Sequence, residues 1–465
     1  MRRYQPGFSA WVEFGIDKTY GRQTSVVSDS GSVPGNAAVN ILVAGMLPNT
    51  TYHMRAHVDS AAGSWVDQDQ TFTTGSLPTL KPSPQFTVTR GPAQLAPAPG
   101  IELLSLVGPS GDPNNPNAFS GMATDLQGRI IWYCPQPAEP LKLLPNGHFI
   151  YQVGTDLQEV DLACNVIRDV SLAQVNESLK TNGYSFPPLI TFHHDMLVLP
   201  NGHWITLAQV TQNIDGLTGY SGPTPVTGDL ILDIDTTGDV AWVWSTFDHL
   251  DPNRHLQGLP DWTHSNALVY TADGNLLLSI RHQSWIIKVD YENGAGDGHI
   301  VWKLGQEGDF TLLGGDPSQW FYAEHYPNVL SVDGSKTTMA VFDNGNLRLD
   351  SSLVPCGSTA SAPSCYSRAA IFQFDEDTRQ ATVEWQDLPG FFSFWGGSIE
   401  ALSSGPNRHI EFTSSDPFNT LSAQIREVTD DPANPEIVWQ MDITGAWAYR
   451  GNRIPSLYPG VTWQH

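Results

Sequence analysis

Three histidines share a setting in this chain. His264 in "DWTHSNALVYTADG", His325 in "EHYPNVL" and His194 in "TFHHDMLVLPNG" each stand four residues ahead of an apolar pair. Those pairs are Leu268–Val269, Val329–Leu330 and Val198–Leu199, and His193 fits the pattern almost as well as His194. Arg281, in "SIRHQS", falls on the strand expected to pair with the one that His264 opens. Three imidazoles could bind a metal. A permanently charged guanidinium beside them argues for an anion instead, because its fixed fork of donors matches a tetrahedral oxyanion such as sulfate or phosphate. Neutral imidazole is a competent nucleophile and a proton carrier near neutral pH. The set suits group transfer: one histidine attacks, another moves a hydroxyl proton, and the arginine holds the non-bridging oxygens. The competing reading is three unrelated strand-start histidines, each satisfied by a nearby carbonyl.

For these residues to meet, the elements carrying them must repeat around a common axis. From residue 101 a unit does recur. "LLPNGHFIYQV", "LVLPNGHWITLA" and "VYTADGNLLLSI" are copies of an apolar strand, a Gly turn and a second apolar strand. The second half of the unit is a hairpin, and most of its copies end near a Trp (Trp132, Trp244, Trp302, Trp385, Trp439). Four short strands per unit without a helical period between them predict an all-β, six-bladed β-propeller, with seven blades and a β-sandwich array as alternatives. The first strand of each blade lines the central channel, so histidines at matching places in consecutive blades should converge at one mouth.

Residues 1–78 read as short strands between Gly, Asn and Ser turns. The stretch "GMLPNTTYHMRAHVDSAAGSWVDQDQTFTTG" alternates at Tyr52, Met54, Ala56 and Val58 and resembles a fibronectin type III-like β-sandwich. Residues 79–100 are rich in Pro and Gly and predict a linker or strap, leaving 101–465 for the propeller. With a net charge of −25, nucleic acid and anionic membranes are poor partners. No run of about twenty apolar residues predicts a membrane span, and no signal peptide is visible behind "MRRYQPG". Of four cysteines, Cys356 and Cys365 are spaced for a disulfide, which would favour an oxidising compartment, whereas Cys134 and Cys164 read as standing alone. The acidic turn "DIDTTGD" invites a structural calcium ion but is more often a plain hairpin; no other cofactor is expected.

"HHDMLVLPNG", "DWTHSNALVYTADGNLLLSIRHQSWIIKVD", "IVWKLG", "EHYPNVL" and "FDNGNLR" resemble, in that order, the motif series of the bacterial arylsulfate sulfotransferases. The resemblance spans most of residues 100–450. It implies a six-bladed propeller behind an N-terminal β-sandwich, and transfer of a sulfuryl group from a phenolic sulfate ester to a phenol without a nucleotide donor. Small-molecule donor and acceptor are then the partners, a homodimer is allowed, and the location is periplasmic or secreted with the cytoplasm left open. The resemblance makes His325 the nucleophile that becomes sulfurylated and His264 the proton shuttle. Arg281 and one of His193 and His194 would bind the sulfuryl oxygens, His194 being favoured because Asp195 could orient its ring. It puts Asn266, Asn344, Arg348, Tyr449 and Arg450 near the substrate. The other functional reading is a non-catalytic propeller that binds a ligand or protein.

Overall fold

A computed structural model describes residues 7–29, 39–78, 84–93, 95–108, 120–137, 139–359, 365–414 and 421–463. From Ile101 onward the chain forms six antiparallel sheets built on four strands each. We number them as blades in ring order. The first strands of blades 2 to 6 are Glu139–Leu143, Thr191–Val198, Ser265–Tyr270, His325–Asp333 and Ser398–Ala401. In blade 1 that place is taken by Trp447–Ile454, from the far end of the chain, which pairs with Ile101–Val107. These six strands contact one another in a closed cycle and line the channel. The ring is therefore closed by a C-terminal strand completing an N-terminal sheet.

The stretch expected to be a linker is partly a strand. Gln85–Arg90 adds to the outer edge of blade 6 by pairing with Ile437–Thr444, a second tie between the two ends of the ring. Residues 79–83 lie outside the described set.

Three of the five recurring Trp of the sequence pattern latch neighbouring blades. The indole N–H donates to Leu162 O from Trp132 (2.9 Å), to Gly298 O from Trp244 (2.8 Å) and to Leu126 O from Trp439 (3.0 Å). The "PNG" turns place Gly147 and Gly202 at φ of 86° and 84°, where a Cβ would be strained.

The described strands before residue 78 make one antiparallel sheet of six, centred on Phe8–Gly15 and Thr51–Ser60; no second sheet of a sandwich is among the described residues. Phe14 and Tyr52 pack into a core shared with blades 1 and 2 and with Leu457, Tyr458 and Trp463 of the tail. The Trp463 indole donates to Gln23 O at 3.0 Å. Cys356–Cys365 is a disulfide, and Cys134 and Cys164, expected to be single, form a second, Cα atoms 5.9 Å apart. Thirty residues separate these two cysteines; only the packing of blade 1 against blade 2 makes them neighbours. In the acidic turn, Asp235 accepts the backbone N–H of Thr237 and Asp239 at 2.8 and 3.0 Å, as in a hairpin.

Candidate active site

The inner strands that carry the histidines are all interrupted at one level. Pairing jumps from His193–Leu207 to Met196–Thr206, from Ser265–Ile280 to Ala267–Ser279, and from His325–Phe342 to Asn328–Ala340. Such bulges break strict alternation and re-aim side chains, here toward the channel mouth. His194 and His264 take left-handed φ of 59° and 49°, uncommon for a residue with a Cβ. The jumps also correct the expected alignment: by register His193, not His194, matches His325, and His264 stands one residue ahead of its strand.

The rings nevertheless meet. His194 lies 4.7 Å from His264 and 5.6 Å from Tyr449 between ring centroids, and Tyr449 lies 6.2 Å from His325. His282, next to Arg281, stacks on His264 at 4.6 Å. A cavity of about 480 Å³ opens beside His194 and His264, lined also by Gln152, Thr191, His193 and Asp261; His325 and Arg281 lie outside its lining.

His325 is held in one tautomer. The Asn344 amide donates from Nδ2 to Ser393 O (2.8 Å) and Gly396 O (3.0 Å), so its Oδ1 must face the ring and accept from His325 Nδ1–H at 2.7 Å. The lone pair is thereby on Nε2, which accepts a hydrogen bond from the Gly396 N–H at 3.2 Å. Burial, then the nearby Arg281 charge, hold the His325 pKa well below that of an ordinary histidine, so the ring is neutral at pH 7. His194 is likewise depressed, by burial first and then by His264 and His193.

Arg281 directly follows the strand Leu276–Ile280. It is 8% exposed. Nη1 reaches His282 Nε2 at 2.7 Å, Nη2 donates to Phe394 O at 2.9 Å, and Nε has no acceptor. No carboxylate lies within ion-pair distance of it among the described residues. A buried cation without a counter-charge is costly and is relieved by an incoming anion.

Around this centre the structure sorts the remaining candidates. His193 Nδ1 is 2.8 Å from His194 Nδ1, and its Nε2 is 3.3 Å from Asp229 Oδ1. Although burial pushes Asp229 upward, His193, the Ser265 N–H and the Thr263 hydroxyl hold it at about 2. Both members of the His pair are thus engaged, and His193 rather than Asp195 orients His194. Asp195 turns away, to Lys142, to Arg450 Nη1 (3.1 Å) and to the Leu268 N–H (2.8 Å). Arg450 also donates to Asn266 O at 2.7 Å and lies over the Tyr326 and Tyr449 rings. Asn266 is fully buried and donates to Glu324 O at 2.6 Å, so it does not orient His264.

Arg348 is the exception. It is paired with Asp343 and bonded to Tyr366 O at 2.7 Å, as a structural clamp. Asp261, His264 and His282 bring ligand atoms within 4.8 Å of one another. Both His282 nitrogens are already bonded, and the adjacent guanidinium opposes a dication.

A model of the arylsulfotransferase (ASST) family matches residues 110–450. The chain belongs to that family. None of the curated protein sequences compared with it matches. Among solved structures it is similar to a streptogramin B lyase (10% identity, 77% of this chain and 97% of that one, TM-score 0.38). It is also similar to a protein from Lactobacillus plantarum (10% identity, 77% and 100%, TM-score 0.39). Likenesses this low carry no reading of function. Family membership makes the chain a sulfotransferase acting on small aryl substrates, rather than a non-catalytic binding propeller. No described helix is long and apolar enough to cross a membrane.

Of the aromatic residues that loops could bring to an arylsulfotransferase site, Trp395 lies 6.4 Å from Tyr449. Trp320, Phe321 and Tyr322 pack in the core between blades 4 and 5. Sequence reasoning missed Asp229, Asp261, His282 and Glu324. Asp261 and His282 had a signal, sitting three residues before His264 and one after Arg281. Glu324, whose burial raises it to about 8, is flanked by nothing in sequence that marks it as buried.

Proposed function

We propose that this enzyme moves a sulfuryl group from a phenolic sulfate ester to a phenol by a ping-pong route through a sulfohistidine on His325, without a nucleotide donor. The observation that carries the reading is the tautomer of His325, with its neutral lone pair on Nε2 in the field of the unpaired Arg281. In the first step Nε2 attacks sulfur, the N–S bond forms, and the S–O(aryl) bond breaks with the electron pair leaving on the phenolate oxygen. Arg281 and His194 hold the non-bridging oxygens, in which charge builds. His264 protonates the leaving oxygen where it needs a proton and takes the proton of the acceptor phenol in the second step, which returns the lone pair to His325 Nε2. Tyr449, Arg450 and Trp395 frame the aryl group. The two disulfides suit a periplasmic or secreted location.

The test is a single turnover with p-nitrophenyl sulfate and no acceptor. Nitrophenol should appear as a burst of one equivalent, and peptide mapping should find one sulfuryl group on His325. A burst with the label on another residue, or full turnover by His325→Ala, rules the assignment out.

A further inference from the structure

A base that must accept a phenol proton works only if its ring is held and the resulting imidazolium has a counter-charge. Two things in the structure bear on how His264 meets this. Asp261 Oδ2 lies 2.5 Å from His264 Nδ1. His282 stacks on the other side of the His264 ring, interplanar angle 24°.

His282 is itself immobilised as a neutral ring. Its Nδ1–H donates to Asp261 O at 2.8 Å and its Nε2 accepts from Arg281. Burial, then His264 and Arg281, lower it to about 4. It cannot take a proton without losing the Arg281 bond, so it serves as a fixed plate for His264. The segment carrying Asp261 is pinned to blade 3: Thr227 N–H donates to Pro260 O (2.6 Å) and Trp262 N–H to Thr227 O (3.0 Å). The other charged and titratable groups around His264 are His194 from blade 3, Arg281 and His282 from the turn in blade 4, and His325 from blade 5. Asp261 is the one anion in direct contact with it among the described residues.

We infer that Asp261 is a positioning residue for His264: its carboxylate keeps the His264 proton on Nδ1, leaves Nε2 facing the cavity, and stabilises the imidazolium formed when the acceptor phenol gives up its proton. The inference rests on the sulfuryl-transfer reading above. In the acceptor step the phenol oxygen bonds to sulfur, the N–S bond to His325 breaks, and the phenol proton ends on His264 Nε2, paired through the ring with Asp261. The carboxylate is 41% exposed, so solvent screens it and its effect is smaller than that of the base itself.

The experiment measures steady-state transfer by the full chain from saturating p-nitrophenyl sulfate to phenols of graded acidity. It compares the wild type with Asp261→Asn and Asp261→Glu. Asn can still accept from Nδ1–H, so the substitution removes the charge and keeps the contact. We expect Asp261→Asn to lose about tenfold in kcat/KM for weakly acidic phenols, with the loss vanishing for nitro-substituted phenols already ionised at the assay pH. Asp261→Glu should recover part of the rate. An equal loss for every acceptor, a loss that tracks a drop in melting temperature, or no loss at all overturns the role. Failure to find label on wild-type His325 would remove the sulfohistidine alone, because the acceptor series compares rates and requires no intermediate.

Discussion

Arg281 and Arg348 are both buried, both belong to the arylsulfotransferase motif series, and they do opposite things. Arg348 shares the Asp343 carboxylate with Arg368, whose Nε lies 2.8 Å away, and its remaining donors meet backbone carbonyls. Both guanidinium groups hold the one carboxylate, so the cluster ties the loop after Asp343 to blade 5. Arg281 has a neutral histidine and one carbonyl, and no carboxylate in contact among the described residues. A buried guanidinium bonded to a carboxylate is held as structure; one with no carboxylate in contact keeps donors for an incoming anion. Residue type alone does not separate the two.

The widest separation should come from the nucleophile. His325→Ala is expected to lower turnover by roughly 10³-fold or more with melting little changed, read by p-nitrophenol release beside a thermal melt. On the carboxylate-bound side, Asp343→Asn leaves two buried guanidinium groups without their shared anion and should cost roughly 3–5 kcal/mol of stability. Denaturant titration measures it, and the comparison breaks if the variant is as stable as the wild type. Arg281→Gln should do the reverse, losing about 10²–10³-fold in the first half-reaction without destabilising the fold. A variant that melts earlier but turns over normally would make Arg281 another clamp.

The pH dependence sharpens the same contrast. His325 is held well below its ordinary value by burial and Arg281, so the attacking form persists as pH falls through 6.5. The burst rate with p-nitrophenyl sulfate should stay flat there and decline only at lower pH. The unfolded chain binds that proton first, so His325 contributes stability above its unfolded value that is lost as pH drops below it. Glu324, raised to about 8 by burial, has the opposite sign. It is protonated in the folded state, and its contribution is present below the unfolded value and lost as pH rises through about 8. Glu324→Gln should therefore flatten the alkaline side of the stability curve. The smallest effect belongs to the latches: Trp244→Phe removes one indole hydrogen bond to Gly298 and should cost about 1 kcal/mol.

Much of the propeller was legible because its cause is local. Period-two apolar runs, "PNG" turns and a closing Trp recur with each blade, and each is read within a dozen residues. The convergence of His194, His264 and His325 followed from repetition alone. Which member of the His193–His194 pair matched the others did not, because the bulges slip the register where alternation would have to be trusted. Cys134–Cys164 was missed for a related reason, its two cysteines meeting only across a blade seam. Gln85–Arg90 reads as a linker by composition and becomes a strand because blade 6 offers it an open edge.

The sequence by itself determined the repeat, the family and the candidates for the reacting groups, since those depend on residue type and spacing along the chain. Only the tertiary structure decided which charges are in contact: that Asp195 meets Lys142 and Arg450, that Asp343 meets Arg348 and Arg368, and that Arg281 meets no carboxylate among the described residues. Electrostatic energy depends on distances between atoms brought together from different blades, and on how far water is excluded from them.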